Sequence, residues 1–240
     1  MINNPWKNLH LNKKYQFVAS CDDIETLEIY NQTRSNPNEF LHLEIPTSNV
    51  IGNPYECKVM ILLMNPGFSD EDIIDIKNKD FMDAFYKRND FFFLDNKFSD
   101  TTSYKWWKQK LLTPLVKEFD QIDDNQIRQK LTQYICNVEY FPYHSKTFSN
   151  DLYALRLPSQ EYAFESVRIA IKRKIPIIIA KGKIEKWAYQ VKEIFNYNHL
   201  YKLSSQRNST ISKNNLLERV NPNIDHWTKV QNFNSIINFL

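Results

Sequence analysis

Glycine is scarce: Gly52, Gly67 and Gly182 are the only three in 240 residues. A phosphate-cradling P-loop or a dinucleotide-binding turn needs several glycines close together, so both are disfavoured. Cysteine is scarce as well. Cys21, Cys57 and Cys136 are odd in number, far apart and without a C-x-x-C pair. That argues against a zinc site or an iron–sulfur cluster and fits a reducing compartment. No charged-then-apolar leader opens the chain, and no apolar run approaches the length of a membrane span. The expectation is a soluble, cytoplasmic protein that binds no membrane. Charge of one sign is also lacking. The 31 basic and 28 acidic residues leave a formal net charge of +3, too mild to indicate a nucleic-acid partner without local clustering.

What the chain has in quantity is aromatic side chain, with 16 Phe, 13 Tyr and 5 Trp. Most belong in a core, but any left exposed make stacking surfaces for flat ligands such as bases. Apolar residues are 42% of the total, enough for a substantial core. No internal repeat, low-complexity tract or linker divides the sequence. It therefore reads as a single domain over 1–240, with 1–55 as an N-terminal elaboration and 1–22 as a packing arm.

Four short apolar runs read as buried strands: KVMILLM at 58–64, YICNVEYF at 134–141, IPIIIA at 175–180 and HLYKL at 199–203. Helical spacing marks 24–34, 104–119 (kinked or split by Pro114), 126–133, 159–174 and 183–195. The KRK cluster at 172–174 matches the charge expected at a helix end. The tail from about 214 to 240 also reads as helical. FFFLD at 91–95 reads as core or a lid. Strands alternating with helices predict an α/β domain with a mostly parallel sheet. In such sheets the working site lies beyond the carboxyl ends of the strands. Asn65, the stretch after Asn137, Gly182 and the loop after Leu203 all fall there.

Three of these loops stand out: MNPG at 64–67, CNVEYFPYHSK at 136–146 and SSQRNSTISKNN at 204–215. Together, in this order and on these strand ends, they resemble the motifs of the uracil-DNA glycosylase superfamily. The nearest likeness is to its single-strand-selective and mismatch-specific branches. The resemblance covers roughly residues 56–217. It implies a three-layer α/β/α fold with a central, mostly parallel four-stranded sheet. It also implies removal of a uracil-like or modified base from DNA, in base-excision repair or anti-phage defence, with no cofactor or metal.

By position, the resemblance makes Asn65 the residue that holds the attacking water and Asn137 the reader of the flipped base. Ser205 and Arg207, with Asn208 and Lys213 nearby, become the grip on the DNA strand. Phe68 falls near the base pocket. There are departures: Leu203 stands where many members carry a histidine, Leu63 where the first motif has glycine, and Ser204 and Gln206 where the last has prolines.

The chemistry asks for the same parts. Breaking an N-glycosidic bond builds positive charge on the sugar and negative charge on the base. Water must be held on one side and donors on the other. An amide orients water but accepts protons poorly, so a carboxylate among Asp70, Glu71 and Asp72, with Asp70 foremost, is a candidate activator. His144 is a candidate general acid, and Tyr143, with Tyr140 and Phe141, a candidate stacking surface. Simpler readings stand beside these. Asn65-Pro66-Gly67 is also a common turn, 70–72 an acidic helix cap, His144 a surface-loop histidine, and the tyrosines core. A catalytically inactive nucleic-acid-binding protein of the same fold is the alternative function.

Overall fold

A computed structural model of the chain describes residues 4–6, 21–47, 49–87, 89–221 and 226–240. Within them lies a seven-stranded sheet of order β1-β3-β2-β4-β5-β6-β7. The strands are β1 (Val50–Ile51), β2 (Val59–Leu63), β3 (Ile135–Glu139), β4 (Ile177–Ile179), β5 (Leu200–Leu203), β6 (Leu216–Asn221) and β7 (His226–Lys229). β3, β2, β4 and β5 are the four expected strands, and they run parallel, with Ile61 facing Asn137 on one side and Ile178 on the other. β2, β3 and β4 are buried at every position, as the unbroken apolar runs of β2 and β4 predict; β3 is buried too, although it carries Asn137 and Glu139.

The expected four-stranded sheet is therefore the centre of a larger, mixed one. β1, β6 and β7 join it antiparallel. The helical reading of 214–240 is corrected: β6 and β7 pair antiparallel, and among the described residues of this stretch only Phe233–Ile236 is α-helical. Valine, threonine and tryptophan in this stretch favour a pleated surface once β5 offers an edge to pair with. β1 is two residues long and too short to leave a periodic signal. Gly52 follows it at φ 102°, where a Cβ would stand 2.4 Å from the Ile135 carbonyl oxygen of β3.

Helices cover both faces. One core joins alternate residues of the sheet, such as Met60, Leu62, Cys136 and Val138, to α1 (Cys21–Gln32), α7 (Gln160–Lys172) and α8 (Ile184–Gln190). The other joins Ile61, Leu63, Ile135 and Ile178 to α3 (Lys79–Lys87), α4 (Thr102–Trp107), α5 (Thr113–Glu118), α6 (Asp124–Tyr134) and the FFFL segment, which is core. A turn of π-helix at Lys108–Leu112 joins α4 to α5. Pro114 has no N–H to return to the Lys110 carbonyl four residues back. That carbonyl instead accepts the Ile211 N–H at 2.8 Å, tying the loop after β5 to this helix.

The expected N-terminal arm lies mostly outside the described residues. Trp6 is buried, and its Nε1 donates to Asn49 Oδ1 at 3.3 Å. Among the described residues no helix is long and apolar enough to cross a membrane.

Candidate active site

From β2 the chain crosses to β3 on one side of it and later to β4 on the other, so the crossovers reverse between β2 and β4. A crevice opens at their carboxyl ends, where open α/β sheets bind ligands. It holds a cavity of about 290 Å³. Leu63, Asn65 and Glu139 come from strand ends, and Lys181 from the turn after β4. Trp106 and Trp107 of α4 and Phe68, Phe81, Phe85 and Phe93 supply an aromatic wall. A space of this size and lining suits one flat, largely apolar ligand.

Asn65 is held by its amide nitrogen. Nδ2 donates to Ser145 Oγ at 2.9 Å, to the Pro66 carbonyl at 3.1 Å and to the Tyr143 carbonyl at 3.5 Å. Carbonyl oxygens only accept, so they fix which end of the amide faces them. Oδ1 is left without a partner among the described residues, and Asn65 lines the cavity. A fixed amide with a free acceptor can hold one hydrogen of a water.

Gly67 has space around it: a Cβ there would meet nothing within 4 Å. Gly182 is the contrary case. It sits at φ 94°, with a would-be Cβ 1.9 Å from Met64 Sδ. Its backbone makes two bonds to the Gln206 side chain, N–H to Oε1 at 3.1 Å and carbonyl from Nε2 at 2.7 Å. Gln206, one of the departures from the resembling motif, thus latches the late loop to the turn after β4.

Asn137 is 1% exposed and does not line the cavity; Glu139, two residues on and on the same strand face, does. Asn137 Nδ2 donates to Glu139 Oε1 at 3.2 Å, while Asn137 Oδ1 and Glu139 Oε2 are buried without partners. Burial pushes the Glu139 carboxyl up to about 8, against the opposing pull of the Asn137 bond and of Lys181. At neutral pH it is a carboxylic acid. Sequence reasoning passed over Glu139, although a second polar residue at i+2 in an apolar strand was the available sign.

Other expected residues are placed differently. His144 lines the cavity, but its Nδ1 lies 2.6 Å from the Gly67 carbonyl and its Nε2 3.0 Å from that of Pro46. Each ring nitrogen lies within hydrogen-bond distance of a backbone carbonyl, so whichever one carries the proton donates it to a loop rather than to a ligand. Removal from water lowers its pKa, and Asp72 pulls the other way.

Asp70 is exposed, lies 3.8 Å from Lys146 and does not line the cavity. The carboxylates at the wall are Asp72 and Asp75 of α2 (Asp72–Asp75), and Thr102 Oγ1 donates to this pair. Tyr143 is 0% exposed in the opposite core, and its hydroxyl donates to Asp23 Oδ2 at 2.7 Å; it is unavailable for stacking. Phe68 does line the cavity, stacked on His42 with ring centroids 3.3 Å apart.

A second hollow adjoins the first and shares Asn65, Gly67 and Lys181 with it. Lys146, Lys181 and Arg207 reach it from three different loops. Arg207 is the one residue of the expected strand grip that lines it. Ser205 and Asn208 are exposed neighbours within the loop. Lys213 lines neither hollow and lies 3.7 Å from Glu118. The loop's organiser is Asn215. Its Oδ1 accepts from Ser204 Oγ and the Ser205 N–H, and its Nδ2 donates to the carbonyls of Asn208 and Thr210.

No protein-family model, curated protein or solved structure matches the chain.

Proposed function

We propose that this protein is a DNA glycosylase that takes a uracil-like or modified base out of DNA and hydrolyses its N-glycosidic bond, leaving an abasic site. One observation carries the reading. An aromatic-walled cavity of single-base size, with a positioned amide oxygen and a buried acid, opens beside a hollow lined by three cations. A base bonded to a phosphate-linked sugar presents that same pairing, flat and apolar next to anionic. Asn65 Oδ1 orients the attacking water. Trp106 and Phe68 stack the base. Lys146, Lys181 and Arg207 receive phosphates. The resemblance of the three loops to the uracil-DNA glycosylase superfamily, and their convergence at one sheet edge, support the same conclusion. Repair and defence against phages with modified DNA are both settings for such an enzyme.

The test is alkali cleavage of single- and double-stranded DNA panels carrying uracil, mismatched thymine, hypoxanthine or modified cytosines. Strand breaks that vanish with Asn65→Ala, while DNA binding persists, are the expected result. No break on any substrate, with DNA still retained in a gel shift, sinks the catalytic reading. It would favour an inactive binder, the reading that the buried, apolar Leu203 at the usual histidine position supports.

A further inference from the structure

The glycosylase reading leaves the departing base without an acid, because Leu203 cannot donate and the proton of His144 goes to a loop carbonyl. We propose that Glu139 is the proton donor of this cavity, its Oε2 hydroxyl bonded to a ring nitrogen or carbonyl oxygen of the base and giving up its proton as the C1′–N bond breaks.

The geometry supports it on three points. Glu139 lines the cavity yet is 3% exposed, and Oε2 itself is sealed from water, so the carboxyl lies in the cavity floor just beneath its surface. Oε1 accepts from Asn137 Nδ2, which leaves the acid's hydrogen on Oε2. Oε2 has no partner among the described residues, and a buried hydroxyl left unbonded costs about 1–3 kcal/mol. A bound base whose acceptor draws the carboxyl out of the floor removes that cost. The substrate class is thus a base whose edge carries an acceptor that gains basicity when it loses the sugar.

Asn137 takes a different part from the one its position suggested. It is a positioning residue, fixing which carboxyl oxygen carries the proton. The other titratable groups lining the cavity are Lys181, His144, Asp72 and Asp75. Of these, Lys181 is the one that acts on Glu139, and it favours the carboxylate left after transfer.

The step balances. The electron pair of the C1′–N bond goes to the base nitrogen, and the base takes the Oε2 proton. Water held by Asn65 supplies oxygen to C1′, and the proton it loses restores Glu139. Water and glycoside become free base and a sugar hydroxyl. This rests on the proposed glycosylase function, so its test needs one readout that does not depend on turnover.

Trp106 and Trp107 line the cavity and report binding by fluorescence quenching. Free uracil, cytosine, adenine and hypoxanthine are titrated into wild type and Glu139→Gln from pH 6 to 9.5, and base release from the DNA panel is followed over the same range. With the acid titrating at about 8, wild-type affinity is expected to be about tenfold weaker at pH 9 than at pH 7. Glu139→Gln keeps a donor that does not titrate, so its binding of cytosine, a base that does not itself ionise over this range, stays flat. Its release rate falls at least about a hundredfold, the usual worth of a general acid. Release that is flat to pH 9.5 and indifferent to Glu139→Gln overturns the proton donor and leaves the glycosylase standing. No release from any DNA, with base binding still lost near pH 8, overturns the glycosylase and the transfer step but keeps Glu139 as a base-binding donor. No quenching by any base overturns both.

Discussion

Two hollows meet at the Asn65–Gly67 turn and are built from opposite materials. The cavity is walled by tryptophan and phenylalanine and floored by an acid that burial keeps neutral. The hollow beside it gathers Lys146, Lys181 and Arg207. One environment is mostly aromatic, with Asp72, Asp75 and the shared Lys181 among its lining, and the other attracts anions, yet they share three residues. A ligand spanning both has to be neutral and flat at one end and anionic at the other. The boundary falls on the strand end itself. A carboxyl edge offers backbone, a free amide and an open glycine without needing a side chain to fill the mouth.

The largest expected effect comes from removing the titrating acid from the cavity floor. Glu139 is held up to about 8 from an ordinary value of 4.5. Its contribution to stability is fully present below the unfolded value and is lost as pH rises through about 8, because the unfolded chain ionises first. Glu139→Gln cannot ionise. It is expected to be more stable than wild type at pH 9, by on the order of 4 kcal/mol, with the advantage shrinking to nothing near pH 4. Melting curves at both pH values check this. Equal melting temperatures at pH 9 would mean that the cavity floor is wet.

Next is the shared mouth. Gly67 has a negative φ and free space, so nothing in the fold demands glycine there. Gly67→Leu is expected to leave melting within about 1 kcal/mol of wild type and to cut base release about a hundredfold by filling the entrance to both hollows. If Gly67→Leu melts normally and works normally, the mouth lies elsewhere.

A narrower probe is Trp106→Ala, which removes a half-buried ring from the cavity wall and the face that Lys181 approaches at 5.7 Å. Stacking a base on an aromatic ring is worth about 1–3 kcal/mol. Affinity for base-containing DNA should therefore fall by about ten- to hundredfold, while affinity for DNA already lacking the base changes little. Equal losses on both would make Trp106 part of the strand grip instead.

How far these parts were legible depends on whether a residue's job is local. The parallel strands announced themselves, since β2, β3 and β4 are buried on both faces and are mostly apolar, with Asn137 and Glu139 of β3 as the exceptions. β6 and β7 did not, because their pairing depends on the edge that β5 offers. Asn65 was legible for the same reason that Glu139 should have been: polar side chains at the end of an apolar strand need an explanation. Tyr143 and His144 were misplaced because exposure in a loop is decided by what packs on it, here Asp23 and the Gly67 and Pro46 carbonyls. Lys146 and Lys181 sit in separate loops, and their convergence exists only in three dimensions.

The smallest expected effects belong to that convergence. Lys146, Lys181 and Arg207 are exposed, and a cation meeting a phosphate there acts through counterion release rather than a fixed bond. Arg207→Ala should weaken DNA binding several-fold at low salt. It should also lower the slope of log affinity against log salt by about 0.7–0.9, the share of a single neutralised phosphate. Gln206→Ala tests the same cation indirectly. It frees the loop from Gly182 without touching charge, so the salt slope should hold while affinity falls more modestly. If both variants change the slope equally, the latch and the charge act as one unit. If neither does, the hollow is not where the strand lies, and the division between an aromatic cavity and a cationic groove fails on its second half while the first stands.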